Sequence, residues 1–286
     1  MLGIPPAELR VPLSFPPGRY TIPFSEHAIN FLRNAKGRKR RYVLMMEYTQ
    51  NSASANIQKC CIFTVKKRLM ILPSTDCHCH ILPGVDDGAT CLAESVLLAR
   101  YQVKWGFRKA VCTSHRVGKY PNTPDDVKRA CDLLRNELSK EGVPLELEPS
   151  MEYRLIPETW PETLEKGWLL PWEGNHILIE LPIHKASRIG NIVPEDEIKR
   201  LIDMGFQPVL AHPERYLYLD MDRYLSFKES GALFQRNIGS LEGLYGEAVS
   251  VRAEALLTEG LYDLIGTDLH NERYAAFFDS FGFTAG

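Results

Sequence analysis

The sequence predicts an α/β fold in which seven strands alternate with helices and close into a (β/α) barrel. Three observations lead to this prediction. Short apolar runs typical of strands recur from Thr75 onward, helix-start and helix-stop residues lie between most of them, and nearly all of the runs finish at His, Asp or Glu. Alternating β and α segments form right-handed βαβ units and a mostly parallel sheet. A doubly wound open sheet is the alternative arrangement.

The predicted strands are short runs in which apolar residues dominate. They cover residues 75–81, 108–113, 145–149, 176–181, 206–211, 232–237 and 262–267. Seven strands separated by helices favour a closed barrel, one strand short of the eight that such barrels usually contain.

Two segments between the strands carry clear helix signals. In NTPDDVKRACDLLRNELSKEG, Thr123 is the expected N-cap, Pro124 takes the first helical position and Gly142 ends the helix. The segment VPEDEIKRLIDMG repeats the pattern, with Pro194 at its start and Gly205 at its end. Acidic residues follow each proline, where they stabilise the first turn of a helix.

Charge is distributed unevenly along the 286 residues. Up to Met70 there are 12 Lys and Arg against 3 Asp and Glu, whereas the remainder holds 22 basic and 33 acidic residues. We therefore predict a basic, flexible N-terminal extension over residues 1–68 and the barrel domain over residues 69–286. The cluster GRKRRY is typical of a solvated segment, with nucleic-acid or membrane-surface binding as the less favoured interpretation. Later methionines offer alternative translation starts.

The composition, 44 % hydrophobic and 24 % charged, is that of a soluble globular protein. Seven cysteines, an odd number without a regular framework, argue against a secreted disulfide scaffold. The N-terminal MLGIPPAELRVPLSF lacks the basic start and the apolar run of a signal peptide. No segment approaches the length of about 18 apolar residues that a membrane span requires. The expected location is therefore the cytoplasm.

The stretch TDCHCHILPGVDDGAT concentrates residue types that bind metals. Side chains alternate along a strand, so His78 and His80 face one way together with Asp76. Cys77 and Cys79 face the other way, and no second Cys/His pair has suitable spacing, which excludes a zinc knuckle. We therefore expect the cysteines to be core residues and the two histidines to be metal ligands.

The strand ends supply further candidate ligands. Six of the seven predicted strands finish at or just before His, Asp or Glu, and the C-terminal ends of barrel strands meet at one rim. The candidate metal ligands are His78, His80, Asp87, His115, Glu152, Glu180, His212, Asp268 and His270. This nitrogen and oxygen set favours Mn²⁺, Zn²⁺ or Fe²⁺, and its size suits two or three ions. His176, at the other end of its strand, and His184, in a loop, are left out of the set.

Phosphate esters suit such a site, because a metal cluster activates water and binds substrate oxygens. Arginine is a natural addition since it binds phosphate in a bidentate way. Arg215 and Arg273 each follow a candidate histidine by three positions, and Arg116 follows His115 directly. Arg215 is the first catalytic candidate and Arg273 the second.

Five strings carry a resemblance to a known family: DCHCHILPGVDDGA, TSHR, LIELP, PVLAHPERY and GTDLHN. In order and spacing they resemble the PHP (polymerase and histidinol phosphatase) superfamily, from about Lys66 to about Tyr274. Within it they are similar to the CpsB/YwqE-type bacterial manganese-dependent protein-tyrosine phosphatases of capsular and exopolysaccharide operons. The resemblance implies a distorted seven-stranded (β/α) barrel of the PHP type and a trinuclear site with Mn²⁺ as the expected ion.

The resemblance also implies a role for each candidate residue. The ligands implied for the first ion are His78, His80, Asp268 and a bridging Glu152. Those implied for the second are Glu152, Glu180 and His212, and those for the third are Asp87, His115 and His270. Arg215 would contact the phosphate, with Arg273 as a further candidate.

The function that the resemblance implies is hydrolysis of phosphotyrosine by a metal-bridging hydroxide. The expected partner is a phosphotyrosine-bearing protein, a bacterial tyrosine autokinase of capsule or exopolysaccharide synthesis, and no nucleic-acid partner is expected. A cysteinyl-phosphate route is excluded, because none of the seven cysteines has Arg six positions later. Histidinol phosphate, another small phosphomonoester or a nucleic-acid phosphodiester is the alternative substrate, and a non-catalytic binding module is the alternative class.

Overall fold

The computed structural model describes residues 43–45, 64–66, 73–184 and 186–281. The chain divides into two units, Met1–Met70 and Ile71–Gly286. In the first unit, strands β1 (Val43–Met45) and β2 (Thr64–Lys66) pair in antiparallel orientation. The rest of the extension predicted over residues 1–68, including its basic cluster, lies outside the described residues.

The second unit is built on parallel strands that follow one another around a nearly closed sheet. They are β3 (Thr75–Cys79), β4 (Lys109–Val117), β6 (Glu146–Arg154), β7 (His176–Glu180), β8 (Gln207–Ala211), β9 (Leu233–Asn237) and β10 (Leu264–Gly266). Each pairs with the next in chain order, and the short β5 (Tyr120–Pro121) is antiparallel to β4. The seven-stranded barrel is thus confirmed. The open-sheet alternative is wrong, because a doubly wound sheet reverses its strand order.

The barrel closes between its first and last parallel strands. The backbone N–H of His80 donates to the carbonyl oxygen of Leu269 at 2.9 Å, and that of Asp268 donates to the carbonyl oxygen of His78 at 2.8 Å. Cys79 and Leu269 form a parallel bridge at the same seam. Closure therefore holds two segments that carry candidate ligands side by side.

Helices connect the strands. They are α1 (Leu92–Lys104), α2 (Pro124–Lys140), α3 (Trp160–Glu165), α4 (Pro194–Asp203), α5 (Met221–Glu229), α6 (Ile238–Leu241), α7 (Glu247–Thr258) and α8 (Glu272–Phe281), with 3-10 turns at Ala186–Ile189 and Pro213–Arg215. The predicted start of α4 at Pro194 is confirmed. Within the described ranges, no helix combines the length and the apolar character needed to cross a membrane.

The predicted cap of α2 is a capping box. The hydroxyl of Thr123 accepts a hydrogen bond from the backbone N–H of Asp126 at 3.3 Å, and the Asp126 carboxylate accepts from the backbone N–H of Thr123 at 2.9 Å. Pro124 takes the first helical position. Gly142 follows the helix with φ of +63°, a left-handed conformation that glycine adopts without steric cost.

A register shift lies within β3, between Asp76 and Cys79. The shift is typical of a β-bulge, which breaks the strict alternation of side chains. Asp76 accepts hydrogen bonds from Gln102 of α1 at 2.7 Å and from the backbone N–H groups of Thr267 at 2.8 Å and His78 at 3.2 Å, and it belongs to none of the groups of potential ligands formed by the described residues. His78 and His80 do meet, with their Nε2 atoms 3.1 Å apart.

Strands from across the sheet share one hydrophobic cluster. Its buried members are Val111, Trp172, Leu178, Val209 and Ala211. The backbone N–H of Trp172 donates to the carbonyl oxygen of His176 at 3.1 Å, and the N–H of His176 donates back at 3.0 Å. Burial of each large apolar side chain contributes about 1.5–3 kcal/mol to stability. Trp172 packs beside the start of β7, at the end opposite to the candidate ligand Glu180.

The expectation that the cysteines are core residues holds for four of the five that the structure describes. Cys77, Cys79, Cys112 and Cys131 are buried. Cys91 is exposed, so the expectation is wrong for this residue, which precedes α1 at the surface. The remaining two cysteines lie outside the described residues.

Candidate metal centre

The structure brings the nine candidate ligands together at the C-terminal rim of the barrel, because parallel strands present the same ends to that rim. Seven of them are buried, His270 is half-buried and Asp87 is exposed. His78, His115, Glu152 and Glu180 lie within strands. The others lie in the segments that follow β3, β8 and β10.

The inner part of the cluster consists of His78, His80 and Asp268. The Oδ1 atom of Asp268 lies 3.4 Å from Nε2 of His78 and 3.5 Å from Nε2 of His80. One ligand atom from each of the three residues lies within 4.8 Å of the other two. Three such atoms can hold one cation.

Glu152 lies between several imidazoles. Its Oε1 is 3.1 Å from Nε2 of His212, and its Oε2 is 2.9 Å from Nδ1 of His115. The same Oε2 atom lies 3.5 Å from Nε2 of both His78 and His80. Glu152 is therefore shared by two of the groups of potential metal ligands.

Asp87 forms the exposed end of the cluster. Its Oδ1 lies 3.4 Å from Nε2 of His115 and 3.8 Å from Nε2 of His270. Together with His80 these three residues form a group of potential ligands within 4.8 Å of one another. This part of the cluster is the most open to solvent.

Glu180 completes the cluster from β7. Its Oε1 lies 3.7 Å from Nε2 of His212, and its Oε2 accepts a hydrogen bond from Nε of Arg154. Sequence analysis did not single out Arg154. The signal was present, because Arg154 lies two positions after Glu152 on β6 and side chains two apart share a face of a strand.

Asp86 orients two of the candidate ligands and was also missed as a site residue. Its Oδ2 lies 2.9 Å from Nδ1 of His80 and accepts from the backbone N–H of His115 at 2.9 Å. Its Oδ1 accepts from the backbone N–H of Gly88 at 2.9 Å. Because Nδ1 of His80 is engaged, Nε2 remains for a cation, as in the carboxylate–histidine pairs of metal sites.

One oxygen of Asp268 is held by three donors. Its Oδ2 accepts from Asn237 Nδ2 at 2.7 Å, from the Tyr245 hydroxyl at 3.0 Å and from Arg215 NH1 at 3.1 Å. The other oxygen, Oδ1, faces the histidines. Asn237 and Tyr245 were not predicted, since they lie far from the other site residues in the chain.

The backbone at two candidate ligands is unusual. His212 has φ of +33° and Asp268 has φ of +54°, in the left-handed region that non-glycine residues rarely occupy. Such conformations cost about 1–3 kcal/mol each and cluster at functional sites. Each turns the chain sharply where it leaves β8 or β10.

The charges within the cluster stabilise one another. Burial raises the pKa of Glu152, but His78 and His115 outweigh it and hold this pKa well below its usual range. Burial lowers the pKa of His80, whereas Asp86 and Glu152 raise it to a net value well above the usual one. Burial, together with His80, lowers the pKa of His270 to about 4. The carboxylate of Glu152 is thus ionised and the imidazole of His270 neutral near pH 7, whereas His80 holds a proton that a bound cation would have to displace.

The donor set fits bound cations. Within the described part of the chain, the buried His212 Nδ1 has no hydrogen-bond partner, and the buried Glu152 Oε2 and His115 Nδ1 make no well-aligned hydrogen bond, which is costly for buried polar groups. Glu152 Oε2 and His115 Nδ1 nevertheless lie 2.9 Å apart. Converging nitrogen and oxygen atoms of this kind are typical ligands of Mn²⁺, Fe²⁺ or Zn²⁺.

The other residues weighed from the sequence lie apart from the cluster. Arg273 is exposed at the start of α8, and its guanidinium forms no ion pair with a carboxylate of the cluster. Arg116 is buried, but its guanidinium donates to Thr163, Glu162 and the backbone of Asn122. His176 stacks on Trp172, and His184 is exposed, so both lie outside the cluster as predicted.

The fold and the cluster define a (β/α)-barrel protein with a candidate metal centre at its C-terminal rim. A family model described as "Capsular polysaccharide synthesis, CpsB/CapC" matches residues 74–276, and the chain belongs to this family.

Individual relatives agree. The tyrosine-protein phosphatase YwqE of Bacillus subtilis is 34% identical over 202 residues, which covers 69% of this chain and 78% of that protein. The putative tyrosine-protein phosphatase CapC of Staphylococcus aureus is 27% identical over 199 residues, 68% of this chain and 76% of that protein. A solved structure matches with a TM-score of 0.62 and 32% identity, over 73% of this chain and 88% of that chain. It comes from a study of YwqE from B. subtilis and CpsB from Streptococcus pneumoniae, described there as metal-dependent tyrosine phosphatases.

Proposed function

We propose that this protein is a metal-dependent protein-tyrosine phosphatase that holds two or three divalent cations, Mn²⁺ first among them. The observation that carries the proposal is the convergence of nine imidazole and carboxylate groups around Glu152, with the guanidinium of Arg215 beside them. The activity named for the relatives supports it. Four groups of residues could each hold a cation, because one ligand atom from every member lies within 4.8 Å of those of the other members. The groups are His78, His80 and Asp268; His80, Asp87, His115 and His270; His78, Glu152 and His212; and His115, Glu152 and Glu180.

The chain's own contribution to catalysis centres on Arg215. Cations held at the cluster would activate water and bind the phosphate oxygens. Burial lowers the pKa of Arg215, but Tyr245, Asp268 and Glu180 raise it above its usual value, so the guanidinium stays charged. One of its five N–H groups donates to Asp268, and the others can bind an equatorial phosphate oxygen as negative charge develops. Arg273 is the second candidate for phosphate contact.

Phosphotyrosine suits this site because of its leaving group. Hydrolysis forms a bond from the water oxygen to phosphorus and breaks the bond from phosphorus to the phenolic oxygen, which takes up a proton. The pKa of tyrosine is about 10, so the phenolate departs without a strong general acid. An alkyl phosphate such as histidinol phosphate has a much less acidic alcohol and would need such an acid.

We extend the proposal to the setting of the enzyme. The substrate would be a phosphotyrosine-bearing protein, namely a bacterial tyrosine autokinase of capsule or exopolysaccharide synthesis, in line with the description of the family. The phosphatase domain would cover residues 69–286, with residues 1–68 as a separate extension. A cytoplasmic location would agree with the five described cysteines, which are all free thiols.

Metal analysis together with a substrate panel tests the proposal. Metal-loaded protein should hydrolyse a phosphotyrosine peptide and p-nitrophenyl phosphate, but not histidinol phosphate or DNA. His80→Ala and His212→Ala should lower the metal content and abolish turnover, whereas His184→Ala, at an exposed histidine outside the cluster, should do neither. Activity on histidinol phosphate alone, or full turnover by His80→Ala, would contradict the proposal.

A further inference from the structure

A cavity of about 360 Å³ opens beside the exposed end of the cluster, with Asp87 and His115 in its wall. Its volume lies at the lower end of the about 300–1,000 Å³ that small-molecule sites occupy. The inference drawn from this cavity rests on the proposed phosphatase function. Because the cavity and the cluster share two residues, a substrate with its phosphate at the cluster would extend its organic part into the cavity.

The walls of the cavity suit an aromatic ring. Tyr120 lines it, and the Tyr120 ring is nearly parallel to that of His115, with an interplanar angle of 10° and centroids 6.3 Å apart. Val117 and Ile156 add apolar surface. Aromatic and apolar side chains of this kind pack favourably against a phenyl group.

Two cations in the wall are available to a ligand. Arg154, also in the wall, is paired with Glu180. In contrast, no carboxylate of a described residue lies within the 4.0 Å ion-pair distance of Lys119 or Arg188, which are both exposed. The Lys119 ammonium lies over the Tyr120 ring at 4.7 Å and donates to its hydroxyl at 2.7 Å.

The remaining charges in the wall do not cancel these cations. Besides Asp87, which the cluster uses, the acidic residue in the wall is Glu158. Lys119 and Arg188 therefore exceed Glu158 by one positive charge once a cation at the cluster neutralises Asp87, whose carboxylate also attracts Lys119. Neighbouring residues of an extended peptide lie about 3.8 Å apart, so a charge next to the phosphotyrosine falls within reach of these long side chains.

We propose that Lys119 and Arg188 select phosphotyrosyl substrates that carry an acidic side chain next to the phosphotyrosine. The attraction acts between exposed charges, so each cation contributes a factor of about two to five, and salt screens the effect. The preferred substrate is thus an acidic phosphotyrosyl peptide.

Two phosphotyrosine peptides that differ only in Glu or Gln beside the phosphotyrosine test this inference. At low salt, kcat/KM of metal-loaded wild-type protein should be about tenfold higher for the Glu peptide. Matching peptides with a non-hydrolysable phosphonate should show the same order in dissociation constants measured by fluorescence anisotropy. Both preferences should shrink in high salt.

Variants assign the preference to the two cations. In the double variant Lys119→Ala, Arg188→Ala the ratio of the two kcat/KM values should fall to about one, and in Glu158→Gln it should rise about twofold. Lys128→Ala, at an exposed lysine of α2 outside the cavity wall, should keep the wild-type ratio. Thermal melts check that each variant is folded.

Two results would overturn the inference while leaving the phosphatase intact: equal kcat/KM for both peptides in the wild type, or an unchanged ratio in the double variant. A metal-loaded wild type that hydrolyses neither peptide nor p-nitrophenyl phosphate would instead contradict the proposed function, and this inference with it.

Discussion

Gly88 is the position at which a single methyl group should disable the metal centre. A Cβ atom built on Gly88 would lie 1.9 Å from the carbonyl oxygen of His80, whereas real Cβ contacts are not shorter than 3.0 Å. Gly88→Ala therefore forces the backbone at residue 88 and the backbone at His80 apart by at least 1.1 Å, the difference between these two distances. The clash is with backbone, so no side-chain rotation relieves it.

The displacement affects stability and catalysis together. It breaks the hydrogen bond from Ala89 N–H to His80 O, 3.1 Å long, and that from Gly88 N–H to Asp86, 2.9 Å long. At about 1 kcal/mol each, the free energy of unfolding should fall by about 2 kcal/mol. His80 is one partner in the clash and Asp87 directly precedes Gly88, so both candidate ligands should move by about 1 Å. Such a misplacement of metal ligands should lower kcat/KM about 100-fold.

Urea denaturation, metal titration and turnover of p-nitrophenyl phosphate measure these effects. Gly118→Ala is the matched control, since a Cβ there meets nothing within 4 Å and the residue has no positive φ. It should keep the stability and the metal affinity of the wild type. Wild-type metal affinity and kcat/KM in Gly88→Ala would refute the reasoning about this loop.

Three further predictions concern the metals, their supporting residues and the fold. Removing bound metal with a chelator should lower the free energy of unfolding by about 2.7 kcal/mol relative to protein in metal at 100 times its dissociation constant. Differential scanning calorimetry should then record a fall of about 5–10 °C in Tm, which added Mn²⁺ should reverse. An unchanged Tm would contradict this prediction. Tyr245→Phe removes one of the three donors that orient Asp268, and it should weaken metal binding about 10-fold in a fluorescence titration. An unaltered metal affinity would exclude an orienting role for Tyr245. Thr123→Ala removes the cap of α2 and should cost about 1 kcal/mol in urea denaturation without changing the metal content, and a loss below 0.3 kcal/mol would show that the cap is not needed.

The positions of the barrel strands could be predicted because their centres are apolar. The largest errors are the ends of two strands: β4 and β6 were expected to finish at 113 and 149 but continue to Val117 and Arg154. Their final residues include His115 and Glu152, which are polar yet buried and face the cluster. Polar residues of a functional site make the end of a strand hard to predict, because β propensity reflects apolar residues on a half-buried surface.

The candidate ligands were accessible to sequence analysis because they recur at strand ends. The residues that orient them were not. Gln235, Asn237 and Tyr245 contact the cluster from β9 and the segment after it, and nothing in their local sequence marks them. Asp86 and Asp87 are neighbours, and only the fold reveals that the first orients His80 while the second faces His115 and His270.

Anomalous diffraction from crystals of Mn²⁺-loaded protein tests the central claim most directly. We expect two or three peaks at the rim of the barrel, with Glu152 in contact with more than one of them and Arg215 within reach of a bound phosphate. Peaks located elsewhere, or a single weakly held ion away from His78 and Asp268, would contradict the account of a metal-dependent phosphatase.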